Sequence, residues 1–99
     1  MSLLDLFKST KQVISFEGGP GDTIEKAIII RGAARTNAGV ESEYFYLREK
    51  YGQQGKDWSL DSQMLLQAND RLYDKMYINL ADGTQTSIIF DVTDFHGKI

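Results

Sequence analysis

Residues 58–95 read WSLDSQMLLQANDRLYDKMYINLADGTQTSIIFDVTDF, and this stretch decides the fold. Runs of alternating apolar and polar residues follow one another in it, separated by Ala68-Asn69-Asp70-Arg71 and by Ala81-Asp82-Gly83-Thr84. A period of two, broken by Asn, Asp and Gly, is the pattern of an antiparallel β-meander. The first run places Trp58, Leu60, Met64, Leu66 and Ala68 on one face, the second Leu72, Met76, Ile78 and Leu80, and the third Ile88, Phe90 and Val92. These residues are expected to form one buried face.

Parity constrains the turns. A two-residue Asp82-Gly83 turn sets Tyr77 opposite Ile88 and mixes the faces, because a slip of one residue turns every side chain over. A three-residue Ala81-Asp82-Gly83 loop instead pairs Leu80 with Thr84, Met76 with Ile88 and Leu72 with Val92, and puts Gly83 where a left-handed residue is wanted. The same argument at the first turn predicts an Asn69-Asp70-Arg71 loop, with Ala68 opposite Leu72 and Met64 opposite Met76.

The other face of the meander then carries Asp61, Gln63, Leu65 and Gln67, followed by Tyr73, Lys75, Tyr77 and Asn79, then Gln85, Ser87, Ile89 and Asp91. Polar residues dominate, as on a sheet face in water. Tyrosines and aliphatics among them also suit an interface, since tyrosine joins an apolar ring to a hydrogen-bonding end.

With 99 residues the chain is expected to be a single domain over 1–99 with one modest core. A composition that is 41% hydrophobic and 25% charged, with one proline, is that of a folded globular protein. A net charge of −3 argues against a nucleic-acid surface that works through phosphates. The absence of cysteine excludes disulfides, thiolate nucleophiles and cysteine-ligated metals, and fits a reducing compartment, so a cytoplasmic location is expected. No stretch is long and apolar enough to span a bilayer, and the start lacks the marks of a signal peptide, so no membrane partner is expected.

Upstream, Leu3, Leu4 and Phe7 share a helical face and suggest a short docked helix. Residues 12–17 read as a strand with Ile14 and Phe16 on one side, ended by Gly18-Gly19-Pro20-Gly21. Asp22 with Glu25 three positions on resembles a capping box and predicts a turn of helix. Ile28, Ile29 and Ile30 are contiguous and β-branched, which predicts a short interior strand. Residues 32–39 read as a connection, and a helix is expected from Val40, with Val40, Tyr44, Leu47 and Tyr51 in one stripe and Gly52 as terminator. Phe45 and Tyr46 fall outside that stripe, so another segment or another molecule must cover them.

The chemistry-bearing residues are few. Asp91, Asp94 and His96 form the nearest approach to a catalytic or metal set, although in an extended chain Asp91 points away from the other two. The loop of Gly18, Gly19, Gly21 and Asp22 offers backbone N–H groups to an anion, with Arg31 and Arg35 beyond the next strand. It lacks the spacing of a phosphate loop or a dinucleotide fingerprint. Glu41 and Glu43 lie two apart on the helix, point in different directions, and read as charges favourable to a helix start. Trp58 with Tyr44 or Tyr51 reads as core. No pattern asks for a cofactor.

The expected fold is α+β in the order β-β-α-β-β-β, a largely antiparallel five-stranded sheet with one main helix on its apolar face. The first functional expectation is a non-enzymatic interaction domain, a homodimer through Phe45, Tyr46, Leu65, Tyr73, Tyr77 and Ile89, with another protein as the other partner these residues would suit. The alternatives are a small-molecule or metal binder or enzyme at the glycine loop or the 91–96 end, and an inhibitor or immunity-type partner of another protein.

Overall fold

The computed structural model of the chain describes residues 13–98. The expected helix at Leu3, Leu4 and Phe7 lies outside the described residues. The elements are β1 (Ser15–Gly18), β2 (Ile28–Arg31), α1 (Thr36–Tyr51), β3 (Trp58–Ala68), β4 (Arg71–Leu80) and β5 (Gln85–Asp91), the expected order. They form a five-stranded sheet, β1-β2-β5-β4-β3, antiparallel throughout except where β2 runs parallel to β5. The three isoleucines thus lie in an interior strand, with Ile28 against Phe90 and both side chains fully buried.

The β4–β5 hairpin has the expected register. Met76 faces Ile88, the Leu80 N–H donates to the Thr84 carbonyl (2.8 Å), and Gly83 takes a φ of +88°. The Asp82 carboxylate accepts from both the N–H and the hydroxyl of Thr84, which holds the loop and keeps the Asp82 carboxyl below its ordinary range.

The β3–β4 hairpin differs from expectation. Its turn is two residues long: Asn69 and Asp70 have φ of +53° and +61°, the positive pair that a type I′ turn needs, and Ala68 faces Arg71. Parity is restored by a bulge between Leu60 and Ser62, where Asp61 is the extra residue and accepts from the Asn79 amide (3.3 Å). A bulge exchanges the two faces of everything beyond it. Trp58 and Leu60 face the main core as expected, but after the bulge Gln63, Leu65 and Gln67 share a face with Met76, Asp74 and Leu72. Met64, Leu66 and Ala68 move to the opposite face.

Part of that opposite face is covered, while Met64 and Gln85 on it stay exposed. Ala27, Tyr73 and Ile89 are buried there, with Ile24, Leu66 and Ala68 packed against them. The segment that covers them begins at Gly21, whose carbonyl accepts from the Ile89 N–H (2.7 Å) and whose own N–H donates to the Lys26 carbonyl (2.8 Å). Residues 22–27 make a turn rather than a helix, and the capping oxygen is the Thr23 hydroxyl, which accepts from the Lys26 N–H, not the Asp22 carboxylate.

Helix α1 starts four residues before the expected Val40. Its first turn is held by the C-terminal turn: Thr36 donates from its N–H and its hydroxyl to the Lys98 carbonyl at 2.8 and 2.7 Å. Gly39, read as part of a connection, sits inside the helix because the ring of Phe95 occupies the place a Cβ would take. The helix ends at Gly52, as expected, with its N–H on the Arg48 carbonyl (2.9 Å) and Trp58 Nε1 donating to its carbonyl (2.8 Å). Leu47 joins Ile30, Met76, Ile78, Ile88, Phe90 and Trp58 in the main core. Tyr46 meets Phe90 edge to face at 5.6 Å, and Tyr44 stacks on Trp58 at 6.3 Å.

Candidate functional site

Sequence positions that face a core are normally apolar, and two here are not. Glu43 lies three residues after Val40 and four before Leu47, on the inward side of α1, and is 2% exposed. Asp74 lies between Leu72 and Met76 on the inward face of β4 and is 8% exposed. The two carboxyl groups are hydrogen-bonded to each other. Burial, reinforced by the hydrogen bond and the charge of Asp74, pushes Glu43 up to about 10, so it keeps its proton at neutral pH and donates it to its neighbour. Among the described residues Glu43 Oε2 has no hydrogen-bond partner. The charge of the pair also adds to burial in raising the Tyr44 hydroxyl.

The pair lines a cavity of about 210 Å³. Its apolar wall is Val40, Leu65, Val92 and Phe95, and Thr36, Gln63 and His96 complete it. Three parts of the chain converge: the first half of α1, the strands β3 and β4, and the turn after β5. The bulge at Asp61 brings Gln63 and Leu65 here, and the packing of Phe95 on Gly39 holds the C-terminal turn against the helix.

Of the sequence candidates, His96 reaches this cavity, exposed at its edge, while Asp91 and Asp94 do not. Asp91 lies on the far face, where Arg71 Nε donates to one carboxylate oxygen and the Thr93 hydroxyl (2.6 Å) and N–H (3.1 Å) donate to the other. Burial works to raise Asp91, and these hydrogen bonds outweigh it and hold the carboxyl below its ordinary range. Asp94 pairs with Arg31 at 3.2 Å, and Arg31 also pairs with Glu17 at 3.6 Å. The trio is thus divided among three places, and among the described residues no group of three His, Cys, Asp or Glu side chains is placed to hold a metal ion.

The glycine loop is structural. Gly21 is buried with both backbone groups bonded, and an added Cβ would lie 2.9 Å from Ile88 and 3.0 Å from Ile28. Gly18 and Gly19 have positive φ, and Asp22 is exposed beside them.

The expected interface residues scatter. Tyr73 and Ile89 are buried within the chain, and Tyr46 is covered by Phe90 and by Phe16 at 5.1 Å. Phe45 is 47% exposed and stacks on Phe16 at 6.3 Å. Tyr77 is half-buried under the Lys75 ammonium, and Leu65 is 51% exposed at the cavity. Glu43 was the missed residue, read as a helix-start charge although its spacing to Val40 and Leu47 already placed it inward. Asp74 carried the same signal, an acid interrupting the Leu72, Met76, Ile78 face.

Two other depressions are less site-like. The larger, about 340 Å³ between β1 and α1, is an open groove whose buried polar side chain, Ser42, is satisfied by the Ala38 carbonyl at 2.7 Å. The one beside Arg71, about 200 Å³, holds an arginine and an aspartate paired with each other, with Arg71 Nη2 buried and unpartnered among the described residues. Comparison of the chain with protein-family models, curated proteins and solved structures finds no match. No helix among the described residues is long and apolar enough to cross a membrane.

Proposed function

We propose that this chain is a binding domain for a small organic cation, an amine with a compact apolar body, taken into the cavity over Glu43 and Asp74. The observation that carries the reading is the buried carboxyl pair itself. An acid forced to hold a proton in a cavity is an unmet demand for positive charge, because burial disfavours the carboxylate only while nothing cationic accompanies it. An ammonium group entering the cavity replaces that proton, donates to the carboxylate oxygens, and satisfies Glu43 Oε2. Val40, Leu65, Val92 and Phe95 surround the apolar remainder, and Gln63, Thr36 and His96 offer hydrogen bonds at its edge. The cavity is smaller than the roughly 300–1,000 Å³ of sites for drug-sized ligands, which restricts the ligand to a few heavy atoms.

The test is calorimetric titration with short primary amines, set against alcohols and carboxylates of the same shape, in two buffers of different ionisation enthalpy. Amines are expected to bind with release of close to one proton at neutral pH, and the other compounds to give no heat. Glu43→Gln is expected to lower amine affinity tenfold or more and to abolish the proton release. Equal responses to amines and alcohols, or amine binding with no proton released, would sink the reading.

A further inference from the structure

Among the described residues β3 is an edge strand, and the sheet order places no strand beyond it. Edges of this kind present unpaired N–H and C=O groups, and proteins usually guard them with proline, lysine, a bulge or a covering loop. The start of β3 is guarded in two of these ways. The loop before it covers Trp58, with the Gly55 N–H on the Trp58 carbonyl at 2.6 Å, and the bulge follows at Asp61. From Ser62 to Ala68 the guards stop. There the strand is regular, pairs residue for residue with β4 on its inner side, and reads SQMLLQA, without a charge or a proline. Met64 and Leu65, on opposite faces, are 49% and 51% exposed.

We infer that this edge pairs antiparallel with the same edge of a second copy, about a two-fold axis that passes through Leu65 and runs perpendicular to the sheet. Such an axis keeps both helices on one side of a continuous sheet, so opposed residues must share a face, and odd positions meet odd ones. With Leu65 opposite Leu65, Gln63 meets Gln67, Met64 meets Leu66, and Ser62 meets Ala68. Aliphatic meets aliphatic on both faces, amide meets amide, and no like charges are opposed. The two Asp61 side chains lie at opposite ends of the seam, each across from Asn69. This self-complementarity selects a second copy over an unrelated chain. Leu65 also lines the cavity over Glu43 and Asp74, so the second copy brings its own Leu65 to the rim of that cavity. A seam of seven residues is smaller than a standard interface of about 1,600 Å², so the dimer is expected to depend on concentration.

The chain has no cysteine, which permits a register-specific test. In this pairing the Cβ atoms of the two residues at 65 are about 4.5–5.5 Å apart, within reach of a disulfide after small adjustment, whereas the two residues at 64 sit two places out of register with Cα atoms beyond about 7 Å. Leu65→Cys is therefore expected to oxidise to a covalent dimer at least tenfold faster than Met64→Cys at equal concentration. Light scattering on the native chain is expected to show mass rising from monomer towards dimer with concentration, and Leu65→Lys to remain monomeric while circular dichroism shows it folded. Three results would overturn the proposal: a native monomer at all concentrations up to about 1 mM, a Leu65→Lys chain that still dimerises, or equal cross-linking at positions 64 and 65.

Discussion

Glu43 of α1 and Asp74 of β4 meet carboxyl to carboxyl inside the protein, each placed where its element would ordinarily turn a hydrophobic side chain. The consequence is a linkage between protonation and folding. Glu43 binds its proton far more tightly in the folded chain than in the unfolded one, from 4.5 to about 10. Its contribution is fully present below pH 4.5 and is lost as pH rises toward 10, by up to about 1.4 kcal/mol per pH unit.

Glu43→Gln keeps a donor for Asp74 and removes the titration. The variant is expected to be more stable than the native chain by about 1–3 kcal/mol at pH 7, and the gap to widen at pH 9. Urea unfolding at both pH values checks this. A native chain as stable at pH 9 as at pH 6 would contradict it. A variant that gains stability while losing amine binding is the expected signature of a site kept at the expense of the fold.

Arg71→Met leaves the buried Asp91 with the hydrogen bonds from Thr93 alone. Removing one member of a buried pair costs about 3–5 kcal/mol, and because Arg71 is about one-third exposed we expect about 2–4 kcal/mol. The pH sign is opposite to that of Glu43. Asp91 is held below 3.8, so its contribution is present above that value and is lost in acid. Without Arg71 the acid-unfolding midpoint is expected to move upward. An unmoved midpoint would show that Thr93 alone sets the Asp91 titration.

Gly39→Ala separates two effects of opposite sign. Alanine favours a helix interior over glycine by about 1 kcal/mol. At this position the new methyl group falls on the ring of Phe95, itself buried, and overpacking of that kind costs about 1–3 kcal/mol. The net is expected to be destabilising, and the penalty to shrink in a Phe95→Leu background, where a double-mutant cycle measures the coupling.

Asp70→Gly relieves a residue held at a φ of +61° in an exposed turn. Asn-Gly is the preferred pair for a type I′ turn. The variant is expected to gain about 0.5–1 kcal/mol in denaturant unfolding. A loss of stability would mean that the Asp70 side chain contributes more than its backbone strain removes.

Much of the architecture was legible because it rests on local patterns. Gly83 fixed the second hairpin, the isoleucines at 28–30 identified the interior strand, and Gly52 marked the end of the helix. The first hairpin was not legible by the same parity argument. Asn69 and Asp70 both accept positive φ, so the turn closes one residue short, and a bulge at Asp61 absorbs the difference. Alternation alone cannot report a bulge, since the pattern before and after it reads as one run. Every face assignment beyond Asp61 in β3 was consequently inverted, that of Leu65 included. The acid pair had a signal of its own. Glu43 and Asp74 break apolar faces at inward positions, but only the fold shows that the two breaks coincide.

The parallel pairing of β2 with β5 sets an order of events. The helix and the meander β3–β4–β5 can assemble from segments adjacent in the chain, whereas β2 finds its partner only after everything between them has been placed. Closing that long loop carries the larger entropic cost, and a β1–β2 ribbon on its own is too small to persist in water. The seam between Ile28 and Phe90 is therefore expected to be the last to close during folding. Until it closes, the tyrosine-bearing face of the meander stays uncovered, because Ala27 and Ile24 arrive with β2 to bury Tyr73 and Ile89. The half-assembled chain thus shows its surroundings a hydrophobic surface that the finished molecule keeps to itself.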